Sequence, residues 1–256
     1  MENKLKTIDH TPVAHRASTL FQVSLLQSLA NGDYCGSVTI GQLQQHGDTG
    51  LGTFHRLNGE LIMLDGITYR AAGDGSIEVV SDDETTPFSA VTFLHADETS
   101  TLQEVSDYDA LLQALNQRVA ARGINRFYMI RLDGLFGQMH TRSVYAQDEP
   151  YARLTEVLMR EQTFFDDENI EGTVVGLYCP PYMSSLNATG WHMHFISKDK
   201  TKGGHVLGLR ISDAVLSWDD INSFALHLPQ NEKFHQFDLT IDQSKDIALI
   251  ETNHEN

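Results

Sequence analysis

The apolar residues near the start of the chain recur with the spacing of a helix. After Ser18 and Thr19, which are suitable capping residues, the pattern predicts a helix that ends at Gly32. Its predicted apolar face comprises Leu20, Phe21, Val23, Leu25, Leu26 and Leu29. From residue 52 to residue 70 short apolar runs are separated by Asn58-Gly59 and Asp65-Gly66, dipeptides that accommodate the positive φ angles of tight hairpin turns. A β-meander is therefore predicted after the helix.

The clearest helical pattern lies at the centre of the chain. Ser106 and Asp109 resemble a capping box, and Gly123 is suited to ending a helix. Between them the apolar positions recur at helical intervals, namely Tyr108, Leu111, Leu112, Leu115 and Val119. This helix follows two predicted strands at residues 77–80 and 90–94.

The remainder of the chain is predicted to be rich in β-structure. Residues 126–144 form a long extended stretch, in which Gly134 and Gly137 indicate a bend or bulge. A short helix is predicted at residues 151–162, and the acidic segment 165–169 is predicted to be a linker. Four further strands are predicted at residues 173–178, 191–197, 205–212 and 223–228.

These elements predict an α+β or mixed α/β fold with two lobes, each built on a mixed or antiparallel β-sheet. We expect a loose leader at residues 1–17 and an N-terminal α/β lobe at 18–168. A C-terminal β-rich lobe at 169–238 and a tail at 239–256 complete the expected organisation.

Composition narrows the possible partners and the cellular compartment. With 18 Lys and Arg against 35 Asp and Glu, the net charge of −17 disfavours binding to nucleic acid or to an anionic membrane surface. The polar N-terminus does not resemble a signal peptide, and no apolar run reaches membrane-spanning length. Cys35 and Cys179 are too few for a disulfide framework, although one bridge is possible, and Cys179 is expected to be a buried apolar residue. We therefore expect a cytoplasmic protein.

Three histidines form the most informative chemical pattern. Side chains alternate along a strand, so His192 and His194 are expected on one face. A hairpin turn at residues 199–201 would bring His205 beside His194 on the returning strand. Three neutral imidazoles with an open coordination position are typical of catalytic zinc, although copper, iron and nickel also accept such ligands.

A structural role for these histidines is the alternative, because the chain has 12 histidines and His-x-His alone is a weak motif. The other nine show no spacing that predicts a shared ligand set. The sequence has no Gly-rich phosphate loop, Gly-x-Ser-x-Gly elbow or Cys-x-x-Cys pair, so nucleotide-dependent and serine-hydrolase functions are not supported.

A series of short motifs, taken together and in order, resembles the alpha-acetolactate decarboxylase family from about Ser18 onward. The motifs are Gly52-Thr53-Phe54, Gly59-Glu60-Leu61-Ile62, Asp65-Gly66, Gly134-Leu135-Phe136, Thr141-Arg142-Ser143-Val144, Gly190-Trp191-His192-Met193-His194-Phe195 and Gly203-Gly204-His205-Val206-Leu207. The resemblance implies a metal-dependent enzyme that needs neither thiamine diphosphate nor pyridoxal phosphate nor a nucleotide. It would convert (S)-2-acetolactate, a 2-hydroxy-3-oxo acid, into (R)-acetoin and carbon dioxide. Asn58 and Trp191 depart from the family pattern, where aspartate and tyrosine are expected.

The resemblance also implies roles for individual residues. His192, His194 and His205 would bind one zinc ion per chain, and Arg142 would be the cation that faces the substrate. Glu60 and Glu251 would be active-site carboxylates, and Thr53 would lie near the substrate. The metal would lie between the two lobes, the tail would return Glu251 to the site, and the chain is expected to form a homodimer.

The chemistry of acetolactate fits such a set of residues. Loss of carbon dioxide leaves an electron pair that must move onto the adjacent carbonyl oxygen, and a Lewis-acidic metal stabilises the resulting enediolate. A positioned acid must then protonate one face, and the sequence does not divide this role between Glu60 and Glu251. Two alternatives remain, a zinc hydrolase that uses metal-bound water and a non-catalytic cupin-like module that binds a metal or ligand.

Overall fold

The computed structural model describes residues 18–241. Most of these residues lie in two β-sheets, to which a few short helices and one long helix are attached. The fold is therefore mixed, as predicted. Within residues 18–241 no helix is both long enough and apolar enough to cross a membrane.

The sheet with more strands, which we call the larger sheet, has seven strands in the order β14-β1-β8-β3-β4-β5-β6. Its strands are β1 (Thr19–Val23), β3 (Thr49–Thr53), β4 (Glu60–Leu64), β5 (Ile67–Ala71), β6 (Ile77–Val79), β8 (Phe88–Thr92) and β14 (Ser223–His227). A separate two-stranded pair is formed by β2 (Val38–Thr39) and β7 (Thr85–Thr86). The predicted meander corresponds to β3, β4 and β5, and the predicted turn at Asp65-Gly66 has positive φ at both residues.

The second sheet has five strands in the order β10-β11-β12-β13-β9. They are β9 (Glu98–Val105), β10 (Phe127–Val144), β11 (Gln162–Cys179), β12 (Gly190–Ser197) and β13 (Gly203–Ile221). Because β10 also pairs with β13, strands β10 to β13 close into a ring, and β9 extends it along β13. The bulge predicted near Gly134 and Gly137 is confirmed, since the register between β10 and β13 shifts between Leu135 and Gln138.

Residues 18–241 contain five α-helices, of which the last follows β14 and the others lie between strands. They are α1 (Leu26–Ala30), α2 (Ile40–Leu43), α3 (Tyr108–Arg122), α4 (Leu154–Glu161) and α5 (Glu232–Gln236), and two 3-10 turns lie at His55–Leu57 and Pro181–Met183. The long helix α3 packs on the five-stranded sheet through the buried residues Leu111, Leu115 and Val119. Asp107 caps it by accepting a hydrogen bond from the Ala110 backbone amide, so the cap lies one residue after the predicted Ser106.

The prediction of one helix between Ser18 and Gly32 was wrong in its first half. Residues 19–23 form β1, which pairs in parallel with β14 and antiparallel with β8. Ser24 has a positive φ of 60°, and the helix begins only at Leu26. A short run that is apolar on both sides fits a buried central strand as well as a helix, and here the two neighbouring strands decide in favour of the strand.

The prediction of a linker at residues 165–169 was also wrong. These residues lie inside β11, where residues 165–168 pair with residues 138–141 of β10. Exposed Asp166 and Glu168 alternate with the less exposed Phe165 and Asp167, so the polarity of this segment reflects solvent on one face and not a break in the fold. Consequently the expected boundary at residue 168 does not coincide with the division between the sheets, because β9 and β10 precede it and belong to the five-stranded sheet, whereas β14 follows it and belongs to the larger one.

Candidate metal centre

The hairpin formed by β12 and β13 carries all three predicted histidines. His194 lies opposite His205 in the register, as the spacing predicted. The turn between the strands is held by Asp199, whose carboxylate accepts hydrogen bonds from the Ser197 and Thr201 hydroxyls at 2.6 and 2.8 Å. This polar turn fixes the register that places the two imidazoles side by side.

The donor nitrogens of the three rings converge on one point. His192 Nε2 lies 3.1 Å from His194 Nε2 and 3.1 Å from His205 Nδ1, and all three atoms lie within 4.8 Å of one another. Ligands of a tetrahedral zinc ion at about 2.05 Å would be separated by roughly 3.3 Å. Two of the separations are close to this value, so the three nitrogens lie close enough together to be ligands of one metal ion.

Burial keeps these imidazoles in the form that binds metals. Removal from water, with a smaller contribution from the nearby positive charge of Arg142, lowers the pKa of His192 to about 3. The pKa values of His194 and His205 are held well below the usual value for the same principal reason. At neutral pH all three rings are neutral and present lone pairs.

A backbone contact sets the tautomer of His194. Its Nδ1 lies 2.8 Å from the carbonyl oxygen of Leu61, which can only accept, so Nδ1 carries the proton and Nε2 keeps the lone pair. Leu61 belongs to β4 in the seven-stranded sheet. The larger sheet therefore orients a histidine that belongs to the other sheet.

Glu60 and Thr53 lie beside the histidines on paired positions of β4 and β3. The Glu60 side chain is buried, and its Oε2 lies 3.5 Å from His194 Nε2. Thr53 Oγ1 donates a 2.8 Å hydrogen bond to the Gly59 carbonyl. Gly59 has a φ of +84°, and a Cβ there would lie 2.5 Å from the Ala71 carbonyl oxygen, so the turn before Glu60 requires glycine.

At His205, strand β13 lies between β12 and β10, and Arg142 is the residue of β10 opposite His205. Only 4% of the surface of Arg142 is exposed. Together with Thr53, Glu60, His192 and His205 it lines one cavity. A permanently charged, planar donor group is thus placed next to the converging nitrogens.

The same cavity has an apolar wall that the sequence analysis did not assign to the site. It is formed by Leu26, Leu29, Leu57, Phe88, Val144, Leu154 and Leu158. The apolar spacing within the predicted helices marked several of these residues as core. No chemical feature of a leucine indicated that this core borders a polar cavity.

Glu251 and most of the predicted tail lie outside the described residues, as does the predicted leader at residues 1–17. Within residues 18–241 the three histidines form the only group of three His, Cys, Asp or Glu residues close enough to share a metal ion. Cys179 is buried in the core near Leu177 and Met183, as expected.

Comparison with known proteins gives the family. A family model described as "Alpha-acetolactate decarboxylase" matches residues 20–241. The chain belongs to this family. Among relatives of the family, the alpha-acetolactate decarboxylase of Brevibacillus brevis is 37% identical over 223 residues, which cover 87% of this chain and 77% of the relative. The alpha-acetolactate decarboxylase of Bacillus subtilis strain 168 is 32% identical over 255 residues and covers 99% of both chains.

Solved structures of family members have the same fold. The crystal structure of alpha-acetolactate decarboxylase from Bacillus subtilis strain 168 superposes with a TM-score of 0.88 at 33% identity, covering 92% of this chain and 100% of that one. A Staphylococcus aureus protein described as similar to alpha-acetolactate decarboxylase superposes with a TM-score of 0.83 at 31% identity, covering 91% of this chain and 97% of that one. The mixed-sheet architecture is therefore that of the alpha-acetolactate decarboxylase family.

Proposed function

We propose that the chain decarboxylates (S)-2-acetolactate to (R)-acetoin and carbon dioxide, with one zinc ion held by His192, His194 and His205 between the two sheets. The observation that carries this proposal is the convergence of three buried, neutral imidazoles in a chain of the alpha-acetolactate decarboxylase family. The cavity beside them contains a guanidinium and a carboxyl group, which are the two functions that a decarboxylation with stereospecific protonation requires.

The three histidines would bind the metal ion without neutralising its charge. Neutral ligands leave a divalent ion with its full positive charge, and the Leu61 carbonyl keeps His194 in the required tautomer. When bound, zinc would supply Lewis acidity toward the vicinal hydroxyl and ketone oxygens of the substrate, which stabilises the negative charge left as carbon dioxide departs.

Arg142 is suited to binding the anionic substrate. Its guanidinium offers a planar set of donors to a carboxylate or to the substrate oxygens, and its charge opposes the net charge of −17 that would repel an anion. Because Arg142 is buried, its attraction for the substrate is little screened by water or salt. We assign it to orienting the substrate beside the histidines.

Glu60 is suited to holding and delivering a proton. Its carboxyl group lies in the cavity wall next to His194, on a strand fixed by pairing on both edges. A proton delivered from this fixed position reaches only one face of the planar intermediate, which accounts for a single enantiomer of the product. Thr53 is assigned to supporting the Glu60 turn through the Gly59 carbonyl.

Glu251 is proposed as the second carboxylate of the site. Ile241 is the last described residue, and its carbonyl oxygen accepts a 2.6 Å hydrogen bond from Gln27 of α1. Leu26, the neighbour of Gln27, lines the cavity. The chain from Ile241 to Glu251 can span up to about 35 Å, so its length allows Glu251 to reach the site.

The test is an assay with the purified full chain. We expect zinc-loaded protein to release carbon dioxide and form (R)-acetoin from racemic acetolactate, to lose this activity on chelation and to regain it when zinc is added. Folded, metal-loaded protein that forms no acetoin would overturn the proposal. Hydrolysis of ester or amide substrates under the same conditions would favour a zinc hydrolase instead.

A further inference from the structure

The cavity beside the histidines has two chemically different sides. One side carries the polar groups of Glu60, Arg142, His192 and His205. The other is the leucine wall, which we define as Leu26 and Leu29 of α1 together with Leu154 and Leu158 of α4. A molecule that fills this cavity must therefore have polar groups on one side and apolar groups on the other.

Helical spacing explains how two short helices make this wall. Leu26 and Leu29 are three residues apart and Leu154 and Leu158 are four apart, so each pair lies on one face of its helix. All four leucines are at most 5% exposed. The wall is thus enclosed by protein behind it and borders the cavity in front.

The wall is held in place by contacts outside the cavity. The Leu26 backbone amide donates a 3.0 Å hydrogen bond to the Leu186 carbonyl. The Tyr34 hydroxyl donates a 3.0 Å hydrogen bond to the Ala152 carbonyl, just before α4. At the end of α1, Gly32 lies so close to this segment that a Cβ would be 2.9 Å from the Ala152 carbonyl oxygen. These contacts hold α1 against the segment around Leu186 and against the residues just before α4, so the two helices that form the wall are fixed relative to each other.

We infer that the leucine wall selects substrates by the size of the alkyl group on C2 of a 2-hydroxy-3-oxo acid, favouring methyl over longer chains. This inference rests on the proposed function. The carboxylate, hydroxyl and ketone of such a substrate are all drawn to the polar side, so its alkyl groups face the leucines. A fixed apolar wall leaves a limited depth for them, and a longer chain must displace packed side chains.

The experiment compares kcat/KM for two substrates. One is 2-hydroxy-2-methyl-3-oxobutanoate, and the other is 2-hydroxy-3-oxo-2-propylbutanoate, in which an n-propyl group replaces the methyl group on C2. Leu158→Ala should raise the ratio of propyl to methyl activity by roughly 10-fold or more, because differences of one or two methylenes in a hydrophobic pocket have effects of this size. Leu158→Val should move the ratio in the same direction by less, and it guards against loss of folding in the larger truncation.

The matched control is Leu115→Ala. Leu115 is also a buried helical leucine, at 1% exposure, but it belongs to α3 and does not line the cavity. Its truncation should leave the ratio unchanged. If the wild-type chain decarboxylates the methyl substrate and neither Leu158 variant changes the ratio, the inference is wrong while the proposed function stands. A wild-type chain without acetoin formation would instead refute the proposed function.

Discussion

Strand β13 carries buried ionisable groups at both of its ends, and burial has opposite consequences there. At the histidine end, His205 joins His192 and His194, and removal from water keeps all three rings neutral. At the aspartate end, burial raises the pKa of Asp219 to about 6. The neighbouring carboxylate of Asp97 contributes to this rise, while hydrogen bonds from the His95 amide and the Ser18 hydroxyl oppose it.

The difference shows when burial of a titratable group serves a function. In both places the low-dielectric interior favours the neutral form. A neutral imidazole is the form that binds a metal, so burial at the histidine end prepares the proposed site. At the aspartate end, burial of the ionised carboxylate costs stability at neutral pH.

The largest expected effect is loss of the metal at the histidine end. His194→Ala removes a ligand whose backbone partner lies on the other sheet, so we expect most of the zinc to be lost. Activity should fall by roughly 10³-fold or more, because the Lewis acid contributes several kcal/mol. Metal analysis, circular dichroism and the acetoin assay measure this. The control is His227→Ala on β14, which should retain metal and activity. A fully metallated, active His194→Ala protein would contradict the proposed metal site.

The next effect separates proton delivery from metal binding. Glu60→Gln keeps the size of the side chain but cannot donate an acidic proton, so we expect the rate to fall by roughly 10²-fold or more while zinc is retained. Glu251→Gln, made separately, should also retain zinc and should impair either the rate or the enantiomeric purity of acetoin. The variant with the greater loss of enantiomeric purity identifies the proton donor. Zinc loss in Glu60→Gln would instead make this residue a ligand.

A smaller effect is expected from the buried cation. Arg142→Gln should lower kcat/KM for acetolactate by roughly 10- to 100-fold, since hydrogen bonds to charged groups contribute about 1.5–3 kcal/mol. Zinc content should not change. Arg131→Gln is the matched control, because Arg131 lies on the same strand and pairs with Asp65 and Asp133 outside the cavity. Equal losses in the two variants would argue against a role for Arg142 in substrate binding.

The smallest effect concerns the aspartate end and leaves catalysis unchanged. The folded pKa of Asp219 lies above the ordinary value of 3.8, so the folded state holds this proton more tightly than the unfolded state. Its contribution to stability is therefore complete below about pH 4 and is lost as the pH rises through about 6.

In the wild-type chain, the free energy of unfolding should therefore decrease between pH 4 and pH 7. We expect this decrease to be smaller by about 1–2 kcal/mol in Asp219→Asn. Urea unfolding at both pH values measures this change. Asp213→Asn, at an exposed position of the same strand, is the control for loss of a carboxylate. If the free energy of unfolding depended on pH in the same way in the wild-type and Asp219→Asn proteins, the pKa of this carboxyl would be the same in the folded and unfolded states.

Features that depend on residues close together in the chain could be predicted from the sequence alone. Alternation along β12 and a polar turn at Asp199 were sufficient to predict that His194 and His205 lie side by side. The Asp65-Gly66 turn and the apolar face of α3 were likewise local properties. Ordered short motifs also indicated the family, which the matched residues 20–241 then confirmed.

Contacts between segments that are distant in the chain became visible only in the folded protein. Residues 19–23 became a strand because β8 and β14 lie on either side, and residues 165–169 continued a strand because β10 extends far enough to pair with them. The contact between Leu61 and His194 depends on two sheets packing together, and the placement of Arg142 beside His205 depends on the pairing of β10 with β13, which are distant in the chain. Such contacts arise from the burial of apolar surface summed over the whole chain, so no short stretch of sequence specifies them.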